Sequence, residues 1–152
     1  MAKSKIVVGF SGTAGSFAAL HWAAAEGRMR GASVQAVHAW EWSGDLRAPY
    51  APRRAGSRED EWCAALDNAE RAVRLMGDDN VSAIAVEGPP VQVLLRYAGG
   101  ADLLVLGSKE QADVIQPAVG PVIGACLLRA SCPVVVVTTG MAAVAPRPLA
   151  VL

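Results

Sequence analysis

The chain has 152 residues, a length that suits one domain, and 53% of them are hydrophobic, enough to build a core between packed layers. Lysines and arginines number 14, as do aspartates and glutamates, so no whole-chain field draws in nucleic acid, an anionic membrane or an acidic substrate. The opening Met-Ala-Lys-Ser-Lys is followed by too short an apolar run for a signal peptide core or a membrane span, and a cytoplasmic protein is expected.

In chain order, Ile6-Val7-Val8 is the first β-branched run, and an unbroken apolar run suits a strand covered on both faces. A helical pattern follows over about 16–30. Phe17, Leu20 and Ala24 share one of its faces and Ala18, Trp22, Ala25 and Met29 another, so burial over much of its surface is expected. The second strand spans 34–37. The connection over 40–56 holds Gly44, Pro49 and Pro52 without periodicity, and loops of that length commonly act as lids or mobile segments over a site.

The clearest helix is Arg58–Met76, where Trp62, Leu66, Ala69, Val73 and Met76 recur at helical spacing. Ser57 and Asp60 form a capping box at its start, and Gly77 stops it. A weaker strand over 82–86 follows the turn cluster Gly77-Asp78-Asp79-Asn80. Pro90 opens a short helix to Tyr97, and residues 103–106 form the next strand. Pro121 suits the first turn of a last helix to Leu128, because a helix start leaves its N–H unpaired anyway, and Val134–Val137 is the last strand. Strands joined by helices require right-handed crossovers that cover both sheet faces, so the fold class is α/β with a doubly wound parallel sheet. Residues 1–138 are expected to form the domain. Residues 139–152 form a C-terminal tail with nothing to fix it locally.

In such a sheet a ligand crevice lies beyond the carboxyl ends of the strands, where the strand order reverses. The exits of the first and fourth strands read Gly9-Phe10-Ser11-Gly12-Thr13-Ala14-Gly15-Ser16 and Gly107-Ser108-Lys109-Glu110-Gln111. Glycine before small or polar residues lets backbone approach a ligand and presents helix-start N–H groups to phosphate. Glycine also ends strands as a plain turn, so both readings stand on these residues alone.

Five segments in this order and spacing resemble the universal stress protein family: Ile6-Val7-Val8-Gly9 with its small loop, Val37-His38-Ala39-Trp40, Val86-Glu87-Gly88-Pro89-Pro90, Ala101 to Ser108, and Cys132-Pro133-Val134-Val135-Val136-Val137. The resemblance spans nearly the whole chain. It implies a five-stranded parallel sheet in the order 3-2-1-4-5, a Rossmann-like architecture, and a homodimer through the last strand, Val134–Val137. It also implies a nucleotide-type pocket for ATP or another adenine nucleotide, with Ser11, Gly12, Ala39, Gly107, Ser108, Gly120 and Val122 as its candidate residues.

Family members that hold ATP carry a glycine, two residues, a second glycine, nine residues, then glycine and serine or threonine. Here Gly107 and Gly120 keep register, Glu110 replaces the second glycine, and Pro121 replaces the hydroxyl residue. Ser11 stands where the family usually has an acidic residue. Glu110 adds negative charge where polyphosphate would approach, Pro121 removes a hydroxyl and an N–H donor, and neutral Ser11 offers only a weaker bond. Losing two or three good hydrogen bonds at about 1–3 kcal/mol each weakens binding by orders of magnitude.

Three readings follow. The favoured one is a non-enzymatic, dimeric stress-response protein whose ATP motif is degenerate, with a pocket left empty or given to another small ligand. The alternative is a protein that binds adenine nucleotide despite the relaxed motif. The third is enzymatic, since the Ser11 to Ser16 loop is similar to the pyrophosphate-gripping loop of ATP pyrophosphatases, with Thr13 at a glycine and Gly15 at an aspartate of that pattern. No catalytic residue is assigned. His21 lies within a helix, and His38 at a strand end reads as a structural hydrogen bond. Asp102 sets a strand entrance, and Asp78-Asp79 reads as a solvated turn without further oxygen ligands. Cys63, Cys126 and Cys132 lack Cys-x-x-Cys spacing and a histidine cluster, so they read as reduced thiols with no metal. Trp40 and Trp42 flank the long connection and are placed to cover the pocket, although core packing is the expected role of all four tryptophans.

Overall fold

Runs of valine, isoleucine, leucine and alanine too short to be helices form the five strands, and the segments between them carry the helices. The structure, a computed structural model, describes residues 4–42, 57–108 and 120–138. The order is β1 (Lys5–Gly9), α1 (Ala14–Arg30), β2 (Ser33–Trp40), α2 (Arg58–Met76), β3 (Val81–Glu87), α3 (Pro90–Ala98), β4 (Leu103–Gly107), α4 (Pro121–Arg129) and β5 (Val134–Val137). Every pairing is parallel, and the sheet order is β3-β2-β1-β4-β5. The doubly wound α/β fold is therefore the one expected. Most of the connection over 40–56, the segment 109–119 and the tail 139–152 lie outside the described residues.

Alternation along β1 divides the core. Ile6 and Val8 face α1 and α2, whereas Val7 faces α3 and α4, and none of the three has any solvent exposure. Burial of each such side chain stabilises the fold by about 1.5–3 kcal/mol. Asp102 ties β1 to β4: it accepts from the Lys5 N–H at 2.9 Å, and its own N–H donates to Lys5 O at 2.8 Å.

Helix α1 begins earlier than its apolar period suggests. Thr13 is the N-cap, its Oγ1 accepting the Ser16 N–H at 3.3 Å and its carbonyl the Phe17 N–H at 3.0 Å. Only one side of α1 is buried, through Ala18, Ala19, Leu20, Ala23 and Ala24. Of the second expected face, Ala18 and Trp22 reach the core, whereas Met29 is 81% exposed and Ala25 lies in solvent. On α2 the buried line is Ala65, Ala69 and Ala72, which lets the helix sit close to the sheet, and Trp62 stands out at 43% exposure. Its capping box is present, with Ser57 N donating to Asp60 Oδ2 at 2.9 Å, and Gly77 ends it in the left-handed region. Strands β2 and β3 run longer than their apolar runs, since each pairs with the other as far as Trp40 and Glu87.

Candidate functional site

The strand order reverses between β1 and β4, and a cleft of about 250 Å³ opens there beyond the carboxyl ends of the strands. Gly9, Phe10 and Ser11 line it from the β1 exit, and Leu106 and Gly107 from β4. Val37 and Ala39 come from β2, Pro90 and Leu94 from α3, and Gly120, Pro121, Val122 and Ile123 from the start of α4. The structure thus brings together Ser11, Ala39, Gly107, Gly120 and Val122 from the expected set.

Two expected residues fall outside the lining. Gly12 turns outward at φ +83° with open space around it. Ser108 is buried beneath the cleft, its N–H donating to Val137 O at 2.9 Å. Glu110 and Lys109 lie outside the described residues. Thr13 and Ser16, which are not among the residues expected from sequence, do line the cleft. The signal for them was Thr13 as an N-cap, three residues before Ser16. Trp40 is not in this lining; it belongs to a separate groove at the sheet edge.

The hydroxyls at the start of α1 are engaged with one another. Ser11 Oγ and Thr13 Oγ1 are 3.1 Å apart, Thr13 Oγ1 takes the Ser16 N–H, and Ser16 Oγ donates to Thr13 O at 2.8 Å. Beneath them α1 and β4 meet backbone to backbone. A Cβ on Gly15 would stand 2.2 Å from Ser108 O, and one on Gly107 2.0 Å from Gly15 O, so only glycine permits this seating at both places. Helix α4 begins at Gly120 with no side-chain cap, and Pro121 occupies its first position. The N–H groups of Val122 and Ile123 then follow in a first turn whose dipole favours negative charge. The rest of the lining is mainly aliphatic.

His38 lies off the cleft, its Nδ1 at 3.0 Å from Ala65 O and its ring edge-on to Phe10 at 5.7 Å. That is the structural hydrogen bond expected of it. Burial pushes the Cys126 thiol up, against a smaller opposing pull from Arg129, and burial with the Asp102 charge pushes Cys132 up as well. Both therefore stay protonated, and Cys63 is exposed on α2. Among the described residues no three His, Cys, Asp or Glu side chains gather to hold a metal, and no helix is long and apolar enough to cross a membrane.

The model of the universal stress protein family matches residues 3–138. The chain belongs to this family. A universal stress protein of Mycobacterium tuberculosis is 30% identical over 140 residues, which cover 87% of this chain and 47% of that protein. The chain thus spans about half the length of the curated relatives it matches. Among solved structures, a universal stress protein in complex with cAMP superposes with a TM-score of 0.62 at 25% identity, covering 91% of this chain and 99% of the other. A universal stress protein from Archaeoglobus fulgidus in complex with dAMP gives 0.61 at 24% identity, with 90% and 98% covered. Their shared fold carries the β1–β4 crevice with it, so this universal stress protein has its cleft where the fold places one.

Proposed function

We propose that this universal stress protein is a non-enzymatic, dimeric stress-response regulator whose cleft takes a small adenine nucleotide with few phosphates and holds ATP weakly. The observation that carries this is Pro121 at the first position of α4, which leaves the cleft wall without a hydroxyl or an N–H at the place where the family's ATP motif has a serine or threonine. The α1 start adds little, since the Ser16 N–H is already taken by Thr13. The N–H groups on Val122 and Ile123 at the α4 start suit one phosphate rather than a chain of three, with a hydroxyl of the Ser11–Thr13 pair beside them in the lining. The aliphatic walls from Val37, Ala39, Leu94 and Leu106 suit a base and sugar. The cAMP complex of a relative 25% identical supports the same ligand class.

The dimer reading rests on β5. Pro133 O and Val137 O accept from β4, so by alternation the peptide groups of Val134 and Val136 point outward from the sheet edge. A second copy pairing there would satisfy them. Calorimetric titration with cAMP, AMP, ADP and ATP tests the ligand reading: affinity is expected to fall from the monophosphates to ATP. Tightest binding by ATP, or silence toward all four at millimolar concentration with folded protein, would sink it. A mass spectrum of small molecules released from the denatured protein identifies independently what the cleft retains, and a monophosphate nucleotide is the expected species.

A further inference from the structure

A second concavity, of about 420 Å³, lies at the sheet edge near the carboxyl end of β3, between the start of α2 and α3. Three aromatic residues from three elements line it: Trp40 of β2, Trp62 of α2 and Tyr97 of α3. Among the described residues the charged ones in the lining are Arg58, Glu59 and Glu87, two carboxylates against one guanidinium. We propose that this groove binds a small alkylammonium cation.

The charges are arranged for it. Arg58 Nε donates to Glu87 Oε1 at 2.9 Å, and Arg58 Nη2 reaches the same oxygen, so the guanidinium is matched by that carboxylate. Glu59 has no ion-pair partner among the described residues and leaves the groove with an unmatched negative charge. Aromatic faces add attraction through their quadrupole, which acts on cations and not on neutral molecules of the same shape. The Trp62 ring is held in place, because its Nε1 donates to Ala85 O at 3.2 Å. An anion would meet the carboxylates, and a neutral apolar ligand would gain nothing from them.

Choline and its uncharged carbon analogue dimethylbutanol separate charge from shape. The test follows the indole N–H resonances of the 15N-labelled protein during titration with each, at matched ionic strength. Choline is expected to move the Trp40 and Trp62 signals saturably in the millimolar range while Trp22, packed on the α1 face of the core, stays still. Dimethylbutanol is expected to bind about tenfold more weakly or not at all. Trp62→Leu and Glu59→Gln are each expected to weaken choline about threefold to tenfold. Equal binding of the neutral analogue, or unmoved Trp40 and Trp62 signals, overturns the proposal. Because Trp62 also holds Ala85 O, the comparison of the two ligands on the unaltered protein decides the matter without any variant.

Discussion

Replacing Gly15 by alanine sets two physical effects against each other. Alanine is the better helix former by about 1 kcal/mol, so on propensity alone the change would stabilise α1. Its Cβ would stand 2.2 Å from Ser108 O and 3.2 Å from Ser108 C, and both are backbone atoms of the segment leaving β4 that cannot rotate aside. Overpacking of this kind costs about 1–3 kcal/mol. Net of the propensity gain the clash is expected to cost up to about 2 kcal/mol, which for a domain of this size lowers Tm by up to roughly 8 °C. Gly120→Ala is the matched control, since nothing among the described residues lies within 4 Å of its Cβ position and its φ of −71° suits any residue. There the N-cap preference for glycine is offset by a less flexible unfolded chain, and a change within about 0.5 kcal/mol is expected. Thermal melts followed by circular dichroism, with urea midpoints alongside, read both. A Gly15→Ala protein that melts at or above the parent, or a Gly120→Ala protein destabilised equally, would refute the account of how α1 seats on β4.

Glu110→Gly with Pro121→Ser restores the family's motif positions and is expected to raise ATP affinity at least about tenfold by calorimetry, the worth of one to two good hydrogen bonds; no gain counts against the loop reading. The Asp78 carboxyl is held below its ordinary value of 3.8 chiefly by the Asn80 N–H, against partial burial, with Arg28 at 2.8 Å adding to the pull. Its stabilisation is present above 3.8 and lost as pH falls through the lower folded value, so Asp78→Asn is expected to lower Tm at pH 7 by no more than about 3 °C, with the difference from the parent shrinking as the pH falls below 3.8. A difference that persists undiminished at acid pH would show that the charge is not its source. Val136→Pro removes an outward N–H while sparing the β4 ladder, and sedimentation is expected to show a dimer for the parent and a folded monomer for the variant. A parent that sediments as a monomer would end the dimer reading.

The strands were legible because continuous apolar runs such as Ile6-Val7-Val8 and Val134–Val137 have few other uses in a chain of this length. The caps at Ser57 and Gly77 were legible for a local reason, since the hydrogen bonds they make close within three residues. The start of α1 was not, because Thr13 reads as a loop residue until its cap bond to Ser16 is seen. At the cleft, Gly107 was legible as a strand end and Ala39 through the family resemblance, whereas Leu94 and Ile123 enter it only through the packing of α3 and α4 on the sheet. Ser108 misled for the opposite reason: it follows a strand end in sequence but is covered by the backbone of Gly15. On α2 the core contacts of Ala69, Val73 and Met76 were legible, whereas Trp62 stays 43% exposed because the small Ala65 and Ala72 make the closest approach.

The two rims of the sheet are unequal, and this bears on how many copies can join. At β5 the outward peptide groups of Val134 and Val136 have no partner among the described residues, whereas on β3 the outward Ala85 carbonyl is occupied by the Trp62 indole. A ribbon with two bare rims can add subunits without end, and that is the geometry of fibres. With the Ala85 carbonyl already taken by an aromatic side chain, the β3 rim offers a second copy a poorer template than the β5 rim does. Pairing through β5 alone would close at two copies, and growth through β3 would first have to displace the Trp62 indole N–H from Ala85 O.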